Sequence, residues 1–235
     1  MIRYESLLYR SICLGTREEL LGEASALIGK GGAIATVNPI MLTDAVRNAE
    51  LSDALDASLN IPDGVGIAGA LARRGSYTEV YPGVELIEDL LDSRDSCIGY
   101  GIIGGRAGVA EDARDYLLMR HSLAFCLFTC DGYSYTEEGL FSLLRRYSPD
   151  IVLVCLGSPK QELLIRRLRC ISPRTLFIGL GGALDVFSGR VKRAPALMRR
   201  LRLEWLWRML REPRRLSRLP KLLDFLYLTR LEEKI

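Results

Sequence analysis

One histidine, His121, stands in a chain of 235 residues, and its six cysteines include no Cys-x-x-Cys pair. Ligands this sparse and scattered argue against a zinc site. Cys13, Cys97, Cys126, Cys130, Cys155 and Cys170 lie mostly inside apolar runs, which reads as buried, reduced thiols in a cytoplasmic protein. No apolar run approaches the roughly 20 residues that cross a bilayer. The opening MIRYESLLYR has no continuous apolar stretch of the kind a signal peptide needs. Neither an internal repeat nor a low-complexity segment is present.

The composition that remains is 49% hydrophobic and 26% charged, with 22 glycines, and fits an α/β enzyme better than a disordered chain. The length suits one large domain, or a domain with an appendage. A net charge of +3 conceals an asymmetry: from Val186 onward 14 Lys and Arg face 5 Asp and Glu, whereas the preceding residues carry 18 against 24. An acidic body bearing a basic tail points to an anionic partner such as nucleic acid, anionic lipid or a phosphorylated substrate.

Along the chain, SICLG reads as a short strand and TREELLGEASALIGKGG as a helix opened by a Thr16–Glu19 capping box. GAIATVN is a second strand stopped by Pro39, and one or two helices follow as far as Asn60. After a Pro-Asp-Gly turn come helical VGIAGALARRG and GVELIEDLLDS. Then strands CIGYGIIGG, LAFCLFTCDG, DIVLVCLG and TLFIGLGGALDVFSG alternate with amphipathic helices. Short apolar strands between such helices predict a mostly parallel sheet covered on both faces, a Rossmann-like core. From about Arg190 the pattern changes to Leu-, Trp- and Arg-rich helices broken at Pro195, Pro213 and Pro220. The expected organisation is a catalytic core over 1–189 and a basic, helical, amphipathic appendage over 190–235.

Several motifs read two ways. Asp63 in NIPDGVG is ordinary turn chemistry and could cap the next helix; it could equally be a working carboxylate. Asn38 could be an N-cap ahead of Pro39, or with Thr36 it could face a ligand from a strand end. In GSPKQE, Ser158 and Gln161 match a capping box, while Gln161 could instead project its amide into the crevice above the sheet. Gly99-Tyr-Gly101-Ile-Ile-Gly104 matches the dinucleotide fingerprint by letter, but its Ile pair continues the strand where the turn should be. In the tail, Arg199, Arg200, Arg202, Arg208, Arg211, Arg214, Arg215 and Arg218 alternate with Leu and Trp. That is a solvated basic face or a surface for phosphate or anionic lipid. The body lacks the aromatic platforms expected of a single-strand nucleic-acid binder.

Taken in order, TVNPIML, IPDGVGIAGAL, GVELIEDLL, IIGGRAGVAEDA, DGYS, DIVLVCLGSPKQE, GLGGALDVFSGRVKRAP and LEWLWRMLREPRRL resemble the WecG/TagA/CpsF family of bacterial glycosyltransferases, over nearly all of Ile34 to Leu216. The resemblance implies an enzyme that moves an N-acetylhexosamine, typically N-acetylmannosamine, from its UDP derivative to a polyprenyl-diphosphate-linked sugar. The products are wall teichoic acid, enterobacterial common antigen, capsule and other surface polysaccharides. It implies a cytoplasmic protein held peripherally at the inner membrane face. By the same resemblance Asp63 is the catalytic base and Thr36, Asn38 and Gln161 line the pocket. Tyr133 and Asp185 lie near the donor, and Arg208, Arg215 and Arg218 meet the diphosphate. One departure stands out: where many members carry an Arg before the following helix, this chain has Val80 and Tyr81.

Glycosyl transfer needs a base for the acceptor hydroxyl and positive charge for the departing diphosphate. No Asp-x-Asp motif occurs to hold a metal, and arginines can supply that charge. The expectation is therefore an inverting, metal-independent transferase without cofactor. Two other classes stay open on the sequence: a nucleic-acid-binding protein gripping phosphates through its tail, and a dinucleotide-dependent oxidoreductase.

Overall fold

A computed structural model describes residues 3–191, 193–195, 198, 206–207 and 213–233, of which 213–215 in backbone only. Its centre is a sheet of six parallel strands: β3 (Gly32–Val37), β4 (Leu59–Pro62), β5 (Ile98–Gly104), β6 (Ala124–Cys130), β7 (Ile151–Cys155) and β8 (Leu176–Gly179). They lie in the order β4-β3-β8-β7-β5-β6. A separate antiparallel hairpin, β1 (Arg3–Leu7) with β2 (Arg10–Leu14), precedes it.

The alternation of side chains along the strands decides what each face packs against. Ile34, Tyr100, Ile102, Ile151, Leu153, Leu176 and Ile178 join one core with residues of α1 (Arg17–Ala26), α5 (Gly83–Leu91), α6 (Val109–Arg120) and α9 (Ala183–Phe187). On the opposite face Ala33, Ile103, Val152, Val154 and Phe177 pack on α7 (Glu137–Tyr147) and α8 (Lys160–Ile171). Ala35 and Val37 pack there too, on α2 (Pro39–Arg47), α3 (Ala49–Asp56) and α4 (Val65–Arg73). The sheet is thus covered on both sides, as the apolar strands predict.

The capping box is present: Thr16 accepts from the Glu19 N–H while Glu19 accepts from the Thr16 N–H. Three local readings change. Residues 59–62 form a strand rather than a helix end, because Leu59 to Pro62 pair with Ile34 to Val37; Pro62 is tolerated because β4 is an edge strand. TLFIGLGGALDVFSG is a strand only to Gly179 and then turns into α9. SICLG is a strand of the hairpin, not of the main sheet.

Beyond a 3-10 turn at Pro213–Arg218, helix α10 (Leu219–Glu232) closes the chain. It lies on α2, with Phe225 only 1% exposed among Met41, Leu42 and Ala45. Arg73 pairs with Glu233, Arg74 with Glu232 and Lys221 with Asp44, so its two ends are tied to α4 and α2. Among the described residues no helix is long and apolar enough to cross a membrane.

Candidate active site

Neighbouring strands whose following helices leave on opposite faces open a crevice at their carboxyl ends. Every neighbouring pair from β3 to β6 is of this kind, and two of them adjoin the expected residues. Between β3 and β8, α2 leaves on one face and α9 on the other; between β5 and β7, α6 and α8 do the same.

At the first crevice, Thr36 and Val37 pair with Ile61 and Pro62. The ladder runs one residue further, the Asp63 N–H donating to the Val37 carbonyl at 2.7 Å. That puts Asp63, half-buried, beside Asn38. Gly64 takes φ +114°, a conformation L side chains rarely adopt, and itself occupies the N-cap of α4. Asp63 thus stands one residue ahead of the N-cap position. The start of α4 is pressed against the start of α2, since a Cβ on Gly66 would lie 2.5 Å from Pro39. Asn38 is an N-cap: its Oδ1 accepts from the N–H of Ile40 and of Met41, both at 3.1 Å. Thr36 is buried and donates to the Gly179 carbonyl at 3.1 Å.

Gln161 meets the same glycine from the far side. A Cβ on Gly179 would lie 2.9 Å from Gln161 Nε2 and 3.4 Å from Glu162 Oε1. The Gln161 side chain is buried, with Oε1 accepting from Gly157 N at 3.1 Å and Gly181 N at 2.9 Å and Nε2 donating to Glu162 at 2.7 Å. The bond to Gly157 is of the capping kind, but Ser158 does not complete a box. Burial pushes the Glu162 carboxyl up, opposed by Gln161 and less strongly by Ser158.

A cavity of about 490 Å³ opens over the second crevice. Arg106, Lys160 and Arg190 supply its positive charge, and Tyr133 and Asp185 also line it. Tyr133 is 77% exposed, on a turn organised by Asp131, whose Oδ1 accepts from the N–H of Tyr133 and of Ser134. The Ser134 hydroxyl, then these two amides, hold the Asp131 carboxyl below its usual range. Between β4, which Asp63 follows, and β7 or β5, under the cavity, lie three or four strand spacings, about 14 to 19 Å. Of the expected residues, then, Asn38 and Asp63 follow the paired ends of β3 and β4, Thr36 and Gln161 meet Gly179 from opposite sides, and Tyr133 with Asp185 line the cavity.

At Val80 and Tyr81, where the resemblance leads one to expect an Arg, a guanidinium arrives from another element. Arg17 donates from Nε to the Val80 carbonyl at 3.1 Å, lies 5.3 Å over the Tyr81 ring and pairs with Glu85. Arg193 pairs with the same carboxylate. Burial would raise Glu85, but Arg193 and Arg17 outweigh it and hold the carboxyl low. Arg208 lies outside the described residues; Arg215 is described in backbone only, within the 3-10 turn, and Arg218 is exposed at the start of α10. Gly99 and Gly101 sit inside β5, where a Cβ would run into Leu127 and Phe128, so packing explains them without a dinucleotide.

Sequence reasoning passed over Arg17, Arg106, Lys160, Glu162 and Arg190. Lys160 and Glu162 stand within the quoted GSPKQE and Arg106 in the Gly-Gly-Arg turn. Nothing near Arg17 marks it, because its partners are more than sixty positions away.

A six-stranded all-parallel sheet with helices on both faces and a cavity lined by Arg106, Lys160 and Arg190 over its strand ends is the architecture of an α/β fold with a concave site. The family model described as Glycosyl transferase WecG/TagA/CpsF family matches residues 7–235, and the chain belongs to that family. It is accordingly a glycosyltransferase, acting between a sugar donor and an acceptor in a family linked to surface polysaccharide synthesis.

Proposed function

We propose that the enzyme transfers an N-acetylhexosamine, N-acetylmannosamine in the first instance, from its UDP derivative to a hydroxyl of a polyprenyl-diphosphate-linked sugar at the inner face of the plasma membrane. The observation that carries the reading is the pair of crevices. The cavity offers Tyr133 for stacking, Asp185 as an acceptor, and Arg106, Lys160 and Arg190 for phosphate. The neighbouring strand ends offer Asp63 some 14 to 19 Å away by strand spacing, a separation suited to an elongated nucleotide-sugar lying across both.

Asp63 takes the proton of the acceptor hydroxyl as that oxygen attacks the anomeric carbon; the bond to UDP breaks and its charge is met by cationic side chains. A single displacement of this kind inverts the anomeric centre. Arg208, Arg215 and Arg218 of the appendage add to that charge, in a division of labour between the core, 1–189, and the membrane-facing 190–235. Screening UDP-sugars for UDP release with a short-chain lipid-diphosphate-sugar acceptor tests the reading. Release above background with a UDP-N-acetylhexosamine, dependent on acceptor, is expected; none with any UDP-sugar would end it.

A further inference from the structure

Glu162 is 4% exposed, its Oε2 makes no hydrogen bond of normal geometry, the Ser158 hydroxyl supports the carboxyl only weakly, and among the described residues no Lys or Arg pairs with it. A buried carboxyl so poorly compensated is costly, and an apolar side chain would serve packing better. What it does engage is informative. Its Oε1 accepts from Gln161 Nε2, while Gln161 Oε1 accepts from Gly157 N and Gly181 N. An amide has nearly the same shape either way round, but only one orientation turns its oxygen toward two N–H donors. Flipped, its NH₂ would face both and leave them unpaired. A neighbour whose facing oxygen accepts removes the ambiguity.

The two glycines belong to the loops that wall the cavity. Gly157 lies between Leu156 and Lys160, and Gly181 precedes Asp185. We propose that Glu162 is a positioning residue: by fixing the orientation of the Gln161 amide it sets the spacing of the β7–α8 and β8–α9 loops, and so the shape of the cavity that receives the donor nucleotide. The link to the nucleotide rests on the function proposed above; the lock on the two loops does not. Gly179 completes the device, since any side chain there would strike the Gln161 amide.

The test compares Glu162→Met, which keeps length but cannot accept through oxygen, with Glu162→Gln, whose carbonyl still can. Amide hydrogen exchange at Gly157 and Gly181 reads the lock, and calorimetric titration with UDP reads the cavity. In Glu162→Met both amides should exchange about tenfold faster together and UDP should bind about tenfold more weakly, the scale of one modest interaction. Glu162→Gln should hold both within about threefold, a rescue that packing alone would not predict. Unchanged exchange in Glu162→Met, or Glu162→Gln behaving like it, overturns the lock; faster exchange with unchanged UDP affinity overturns the link to the cavity. Should Glu162→Met fail to fold, Glu162→Gln against wild type decides, lost protection at either glycine refuting the proposal and retained protection supporting it. If wild type itself binds no UDP, the functional reading fails while the glycine exchange still judges the lock.

Discussion

The Asp63 N–H donates to the Val37 carbonyl at 2.7 Å, so the position of this residue is fixed by its main chain as one more rung of the β3–β4 ladder. Any side chain keeps that bond, and Gly64, not Asp63, supplies the positive φ and the cap position of α4. Asp63→Asn should therefore melt close to wild type and bind donor normally. Asn cannot take up a proton, so turnover should fall by about 10² to 10⁴. Turnover and melting are measured together; a stable variant with wild-type turnover would make Asp63 a turn residue.

Activity should persist in excess EDTA. The sequence offers no Asp-x-Asp, and among the described residues no three of His, Cys, Asp and Glu gather closely enough to hold a metal ion. The proposed mechanism draws its charge for a diphosphate from Arg106, Lys160 and Arg190, which line the cavity. Loss of turnover on chelation, restored by magnesium or manganese, would refute arginine and lysine as the substitute.

Glu162 gives stability a pH dependence whose sign follows from its burial. Its carboxyl is raised in the fold above the ordinary 4.5, so the unfolded chain loses this proton first as pH rises. The contribution is fully present below about 4.5 and is lost as pH climbs through the raised folded value. Glutamine does not titrate. Thermal melts at constant ionic strength should show Glu162→Gln gaining on wild type from the ordinary carboxylate range upward, then levelling. A difference independent of pH would mean the carboxyl is not raised.

The order of strands and helices was legible where periodicity was strong, as in IVLVC of β7, buried along its whole length. β4 was not legible, because four residues ending in proline carry too little pattern to compete with an adjacent turn signal, and only pairing with β3 makes them a strand. Asp63, Asn38 and Gln161 could be singled out from their motifs. That Asn38 caps α2, and that Gln161 joins two loops, depends on which backbone amides the fold brings near, and Gly181 lies 20 positions from Gln161. Arg17 is the extreme case: its contacts with Val80 and Glu85 exist only because α1 and α5 share one face of the sheet.

The basic tail was expected to lie on anionic membrane, and α10 sharpens how to ask. Its inner side is committed to the core through Phe225 and Thr229, so truncation at Arg190 would uncover Met41 and Leu42 and confound folding with binding. Its outer side shows Leu219, Leu223, Leu226, Tyr227 and Leu231 at helical spacing, with Leu223 66% and Tyr227 67% exposed. A stripe of this kind beside a basic chain suits insertion at the headgroup level of anionic bilayers. Replacing Leu223 and Tyr227 together by Glu should leave stability within about 0.5 kcal/mol per site, since both face solvent, yet abolish sedimentation with vesicles containing anionic lipid. Phe225→Ala should do the reverse, costing about 3–5 kcal/mol while the surviving folded protein still binds vesicles. Undiminished vesicle binding by the double variant would move the membrane contact away from this helix.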